Sequence, residues 1–174
     1  MHRPVVVIMA KQPVAGRTKT RLCPPLSAKQ AAGLYAAMLR DTIEWASSLA
    51  DLALAIAITP PDAAQAWSGR VAPDTLLLPV AGADIGECLD LALSELLANG
   101  YTKALALNSD GPTLPPSYLS AAVARLDEVD LVLGPSEDGG YYLIGLKTPV
   151  PGLFQGITWS TAQVMAQTLS RAQQ

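Results

Sequence analysis

Residues able to do chemistry gather in three short segments of this chain, each punctuated by glycine or proline and each following an apolar run. The first is Lys11-Gln12-Pro13-Val14-Ala15-Gly16-Arg17-Thr18-Lys19-Thr20-Arg21-Leu22, which holds four of the chain's twelve lysines and arginines. Alternating Arg17, Lys19 and Arg21 can surround a polyphosphate with charge-assisted hydrogen bonds, Thr18 and Thr20 offer hydroxyls, and Gly16 permits a close backbone approach. The segment is not a P-loop, because Pro13 and Thr18 stand where that motif needs its two glycines. A solvated basic turn is the competing reading.

The second segment is Asn108-Ser109-Asp110-Gly111-Pro112-Thr113-Leu114-Pro115, directly after an apolar run. A carboxylate at a strand's C-terminal end suits Mg²⁺ (or Mn²⁺) held against nucleotide phosphates, since such hard cations take oxygen ligands and Mg²⁺ keeps several waters. Asp110 is therefore the metal candidate, with ordinary Asp-Gly-Pro turn chemistry as its competitor. The third segment is Gly134-Pro135-Ser136-Glu137-Asp138-Gly139-Gly140-Tyr141-Tyr142. Here Gly139 and Gly140 permit backbone amides to face a ligand, while Glu137 and Asp138 can supply a second metal contact or a general base. A hairpin with acidic turn residues fits the same letters. Of Tyr141 and Tyr142, which alternate, only one need face a cleft.

Other polar residues carry less. Asp84 and Glu87 suit helix capping, Asp41 falls within a long helix, and His2 is too near the terminus for a catalyst. Trp159-Ser160-Thr161 either lines a pocket or caps a helix beside a core indole. With no Gly-x-Ser-x-Gly, His-Glu-x-x-His or Cys-x-x-Cys and a single histidine, hydrolase-triad and zinc readings drop out.

The elements that must position these segments follow from periodicity. Val5-Val6-Val7-Ile8-Met9 is a β-branched run expected to be covered on both faces of a parallel sheet. Ser27-Ala28-Lys29-Gln30 is a capping box opening a long helix, with Ala31, Leu34, Tyr35, Met38, Leu39 and Thr42 at helical spacing. Strands are expected over residues 52–59, 76–78, 104–107, 131–133 and 141–146, and a second helix follows Asp84. Ser117 is expected to cap a third helix, and Ser160 with Gln163 to box a terminal one. This order predicts a single domain over residues 1–174, an α/β three-layer αβα sandwich with a mostly parallel central sheet, where ligands bind beyond the carboxyl ends of the strands.

Composition agrees. Half of the 174 residues are apolar and 16% are charged, enough for a well-buried aliphatic core. The formal net charge of -3 argues against a general nucleic-acid or anionic-membrane binder, so any anion site is local. Cys23 and Cys88 share no close motif, which fits a reducing compartment. Lys11 ends the first apolar run too early for a signal peptide, and no stretch is long enough to span a bilayer. A cytoplasmic location is the expectation; the oligomeric state is not legible.

Read in chain order, the motifs resemble one family: Lys11-x-Pro13 with Gly16-Arg17-x-Lys19-Thr20-Arg21-Leu22, Asp84-x-Gly86-Glu87, Ser109-Asp110-x-Pro112-x-Leu114-Pro115, Gly134-Pro135-x-Glu137-Asp138-Gly139-Gly140-Tyr141-Tyr142, then Phe154 and Trp159-Ser160-Thr161. It is the bacterial glycosyltransferase-like family of the rSAM/selenodomain-associated transferase type. Its first loop is also similar to that of 2-phospho-lactate guanylyltransferase. The resemblance implies a GT-A (nucleotide-diphospho-sugar transferase) fold, phosphates beside Gly16, Arg17, Lys19 and Arg21, and a metal at Asp110; the residues themselves add Lys11 and Thr20 to the phosphate contacts and Asp138 as a candidate second metal contact. Cys88 stands where the pattern has arginine.

The function expected from these residues is a Mg²⁺-dependent transferase. It binds a nucleotide-diphospho-sugar and passes the glycosyl group to an acceptor, with Asp110, Asp138 and Lys19 catalytic and Gly139, Gly140 and Tyr141 at the ligand. The alternative is a nucleotidyltransferase coupling an NTP to a phosphorylated small molecule with pyrophosphate release, and the third reading is a non-catalytic nucleotide-binding module.

Overall fold

The structure of the protein, a computed structural model, describes residues 3–67 and 69–173; His2 lies outside them. Six strands form one sheet: β1 (Val5–Lys11), β2 (Ala53–Thr59), β3 (Leu76–Pro79), β4 (Ala104–Asn108), β5 (Leu131–Pro135) and β6 (Tyr141–Leu146). Their spatial order is β3-β2-β1-β4-β6-β5. The first four are mutually parallel, with Ile8 opposite Ile56 on one side and Leu107 on the other. Strand β6 runs antiparallel to both β4 and β5. The expected mostly parallel α/β sandwich is what forms, with one reversed strand inserted near an edge.

The β-branched start of β1 is the centre of the molecule. Val5, Val6, Val7 and Ile8 have no exposed surface, because alternate residues face opposite layers. Val5 and Val7 meet Leu89, Leu93 and Leu96 of α2 (Ile85–Ala98), whereas Val6 and Ile8 meet Tyr35 and Leu39 of α1 (Ala28–Ser47) and Leu119 of α3 (Pro116–Arg125). Burying each such aliphatic side chain stabilises the fold by roughly 1.5–3 kcal/mol. A last helix, α4 (Val164–Ala172), buries Val164 and Thr168. No helix among the described residues is long and apolar enough to cross a membrane.

Helix starts follow local chemistry, with two corrections. The Ser27 box forms in full, its hydroxyl accepting from Gln30 N and Gln30 Oε1 accepting from Ser27 N. Asp84 caps α2 by accepting from Glu87 N at 2.9 Å, while Glu87 reaches back to Ala83 N at 2.7 Å. Ser117, expected as a cap, lies inside α3. The helix starts one residue earlier at Pro116, whose ring presets φ and whose missing N–H would have been unpaired at that position. Ser160 and Gln163 form no box either: Ser160 adopts φ 63°, and the N–H of Met165 in the first turn of α4 donates instead to Gly139 O at 2.9 Å.

Candidate functional site

All the parallel strands end at one rim, and the β5–β6 turn joins them there. The loop after β1 is built by a side chain rather than by a ligand. Thr18, 5% exposed, donates its hydroxyl to Gln12 O (3.1 Å) and accepts from Val14 N (3.2 Å), while Val14 O accepts from the N–H groups of Arg17 and Thr18. The Thr18 hydroxyl is therefore a brace of the loop, not the phosphate donor read from sequence. Gly16 (φ 78°) makes the left-handed corner that glycine adopts without penalty. Lys19 also adopts the left-handed region (φ 52°), which lifts its side chain out of the chain path before a single 3-10 turn, Thr20–Leu22.

The lifted ammonium forms an ion pair with Asp110, 91 residues away and just past the end of β4. Both side chains are about a third exposed, 32% and 30%. Tyr35 of α1 organises the floor. Its ring lies 5.9 Å below the Lys19 Nζ, and its hydroxyl accepts from Lys11 N (3.0 Å) and bonds the Ser109 hydroxyl (2.8 Å). One phenol thus pins the end of β1, the loop lysine and the segment after β4. In the sequence Tyr35 stands only in an apolar helical stripe, yet a tyrosine expected to be buried signals a hydroxyl in need of partners.

In the β5–β6 hairpin, Asp138 Oδ1 accepts from the Ser136 hydroxyl and from Gly140 N at 3.1 Å. The Ser136 bond above all, then the Gly140 amide, holds its carboxyl below the usual carboxylate value. Gly139 N donates to Ser136 O at 3.2 Å. Both glycine amides are committed inside the turn, which corrects the expectation that they face a ligand. Gly139 is required for another reason: with φ 83°, a Cβ there would lie 2.3 Å from Ala162 O. The segment forms the hairpin its letters allowed, and Ser136, Asp138 and Gly140 also line a cavity.

Three adjoining cavities share Met9 as a common wall. The largest, about 490 Å³, lies over β4 and β6 between the hairpin and Trp159. Another, about 320 Å³, is lined by Lys11, Arg17, Lys19, Thr20, Arg21 and Ser109, so the basic segment does enclose a space. Arg21 lines both. The third, about 170 Å³, reaches Thr59, Gly82, Asp84 and Cys88, with Lys11 at its border. Cys88 is 5% exposed and its Sγ sits 3.9 Å from the Thr59 hydroxyl, a small buried thiol at the position where the sequence resemblance implies arginine. Gly86 is forced by packing: a Cβ there would lie 2.5 Å from the Trp159 ring.

Tyr141 presents its ring to the large cavity, while its mostly buried hydroxyl lies beside Thr168 of α4; burial pushes its pKa up. Tyr142 packs edge-on to Tyr118, and its pKa is raised by burial and by that neighbour. No group of three or more His, Cys, Asp or Glu side chains converges among the described residues. A divalent ion here would rest on Asp110 and on substrate oxygens, a donor set that suits Mg²⁺.

Sheet order, reversed β6 and a site across the strand ends define the α/β fold of the nucleotide-diphospho-sugar transferases, the GT-A type. A protein of Desulfovibrio desulfuricans G20 assigned to those transferases superposes with a TM-score of 0.90 at 29% identity, over 99% of this chain and 76% of that one. The 4-diphosphocytidyl-2C-methyl-D-erythritol synthase of Anaerococcus prevotii DSM 20548 shares the fold alone, with a TM-score of 0.61 at 10% identity, over 99% and 85% of the two chains. Residues 42–161 match the family described as "Uncharacterized protein conserved in bacteria (DUF2064)", and the chain belongs to it. It is also 33% identical over 122 residues to the phosphoenolpyruvate guanylyltransferase of Mycolicibacterium paratuberculosis (strain ATCC BAA-968 / K-10), over 69% of this chain. The match spans 55% of that relative's length.

Proposed function

We propose that the chain is a Mg²⁺-dependent transferase that binds a nucleotide-diphospho-sugar and passes its glycosyl group to an acceptor. The observation that carries this reading is the Lys19–Asp110 contact, which brings the basic loop and the acidic strand end together across the rim. A diphosphate in the cavity lined by Lys11, Arg17, Lys19 and Arg21 meets only basic charged side chains. These groups orient the phosphates and neutralise the charge that develops on the leaving oxygen. Asp110 would hold the Mg²⁺, which when bound supplies further neutralisation of the phosphates. As the phosphates arrive, Lys19 exchanges its carboxylate partner for phosphate oxygen.

Asp138 faces the large cavity, and with Oδ1 committed to Ser136 and Gly140 its other oxygen accepts a hydrogen bond from the acceptor hydroxyl. Its lowered pKa keeps it ionised throughout the neutral range.

Binding is tested by calorimetry of nucleoside di- and triphosphates with and without Mg²⁺. The expected result is metal-dependent binding that Asp110→Asn abolishes with the fold retained; absence of binding across the panel refutes the proposal. Nucleotidyl transfer to a small molecule is the second reading, favoured by the likeness to a guanylyltransferase. Pyrophosphate release from an NTP in the presence of acceptor separates the two, since glycosyl transfer yields none.

A further inference from the structure

The charged groups around the rim are partitioned. The smaller of the two cavities joined at Arg21 is lined by Lys11, Arg17, Lys19 and Arg21 with no acidic side chain. The larger has only Arg21 as a cation and adds the ionised Asp138. Arg21 borders both spaces, so a bound diphosphate takes its charge. What enters the larger cavity then meets a net negative wall, and an anionic group there would lose hydration with no counter-cation to replace it.

The rest of that wall has two characters. Ile85, Leu89 and Trp159 form an apolar side, with the indole fixed by Gly86 beneath it and by Phe154 at 6.5 Å. Asn108, Ser136 and Thr161 form a side of neutral hydrogen-bonding groups beside Asp138. A wall with one apolar face and one edge of donors and acceptors matches a ring that has C–H bonds on its faces and hydroxyls around its edge.

We infer that the larger cavity takes a neutral, polyhydroxylated acceptor and excludes phosphorylated or carboxylated ones. This rests on the proposed function and sharpens it: an acceptor such as phosphoenolpyruvate, named for the guanylyltransferase relative, carries charge that this wall cannot neutralise. Asp138 is then a specificity residue as well as a contact, since its charge penalises anions while its free oxygen receives a hydroxyl.

The test uses the full chain with Mg²⁺ and whichever nucleoside diphosphate binds, and saturation-transfer NMR with matched pairs differing in one phosphate: glycerol and glycerol 3-phosphate, glucose and glucose 6-phosphate, inositol and inositol 1-phosphate. The neutral member of at least one pair is expected to bind about 10-fold or more tightly than its phosphorylated partner. Asp138→Asn keeps the turn's Oδ1 acceptor, and it should narrow that gap by about 3- to 10-fold by improving the phosphorylated member. Preference for phosphorylated members, no binding by any neutral member, or a gap unmoved by Asp138→Asn overturns the inference. Nucleotide binding is scored separately: its failure sinks the proposed function, whereas its success with a phosphate preference sinks only this inference.

Discussion

Replacing Lys19 by methionine keeps the stem over the Tyr35 ring and removes the ammonium, and it should move two ligands in opposite directions. In the unliganded protein the ammonium occupies Asp110, so a divalent ion must displace it. With both side chains about a third exposed, solvent screens the pair, and about 1 kcal/mol is the appropriate scale. Freed of this competitor, Asp110 should bind Mn²⁺ about 5-fold more tightly, measured by electron paramagnetic resonance titration without nucleotide. Nucleotide binding in the presence of Mg²⁺ loses a charge-assisted hydrogen bond of roughly 1.5–3 kcal/mol and should weaken about 10- to 100-fold by calorimetry. A folded Lys19→Met protein whose Mn²⁺ affinity is unchanged or lower would refute the reasoning, because Lys19 would then not be holding the metal's place.

Three further outcomes test the frame around the site. Gly139→Ala should lower stability by about 2–4 kcal/mol, from the left-handed φ and the clash with the Ala162 backbone, whereas Gly16→Ala, with φ 78° and nothing within 4 Å, should cost only about 1 kcal/mol; paired urea melts compare them. Ser27→Ala removes the capping box of α1 and should cost about 1 kcal/mol in the same assay. Because the folded pKa of Asp138 is depressed, its contribution is full above the ordinary carboxylate value of 3.8 and is lost as pH falls below that through the lower folded value. The Gly140 amide resonance should report this loss in an acid titration, and Asp138→Asn should abolish the step.

Much of the frame was legible because periodicity records burial. The run Val5 to Met9 announced a strand covered twice, Ser27-x-x-Gln30 announced a helix start, and basic clustering after β1 announced a cavity lined by the same residues. Partnerships between distant segments were not legible. Nothing local says that Lys19 meets Asp110, or that Tyr35 reaches both Lys11 and Ser109. Polar residues in tight turns misled for a related reason: Thr18 and the amides of Gly139 and Gly140 satisfy hydrogen bonds of their own turns, which leaves the same letters as ligand contacts would. Ser117 and Ser160 failed as caps because Pro116 and the carbonyl of Gly139 already served those helix starts.

The braces at the two ends of the basic loop set the entropic cost of gripping a ligand. Gln12 N is tethered to Thr59 O, Thr18 is clamped, Tyr35 fixes the strand end and Thr20–Leu22 is already a 3-10 turn, so little backbone in the loop is left to be ordered by a ligand. Immobilising a residue's backbone costs about 1–2 kcal/mol, so a loop of this length left slack would dissipate much of its electrostatic attraction in becoming rigid. With the loop held in advance, most of the attraction of the cations would be preserved for any anion that the proposed function places there.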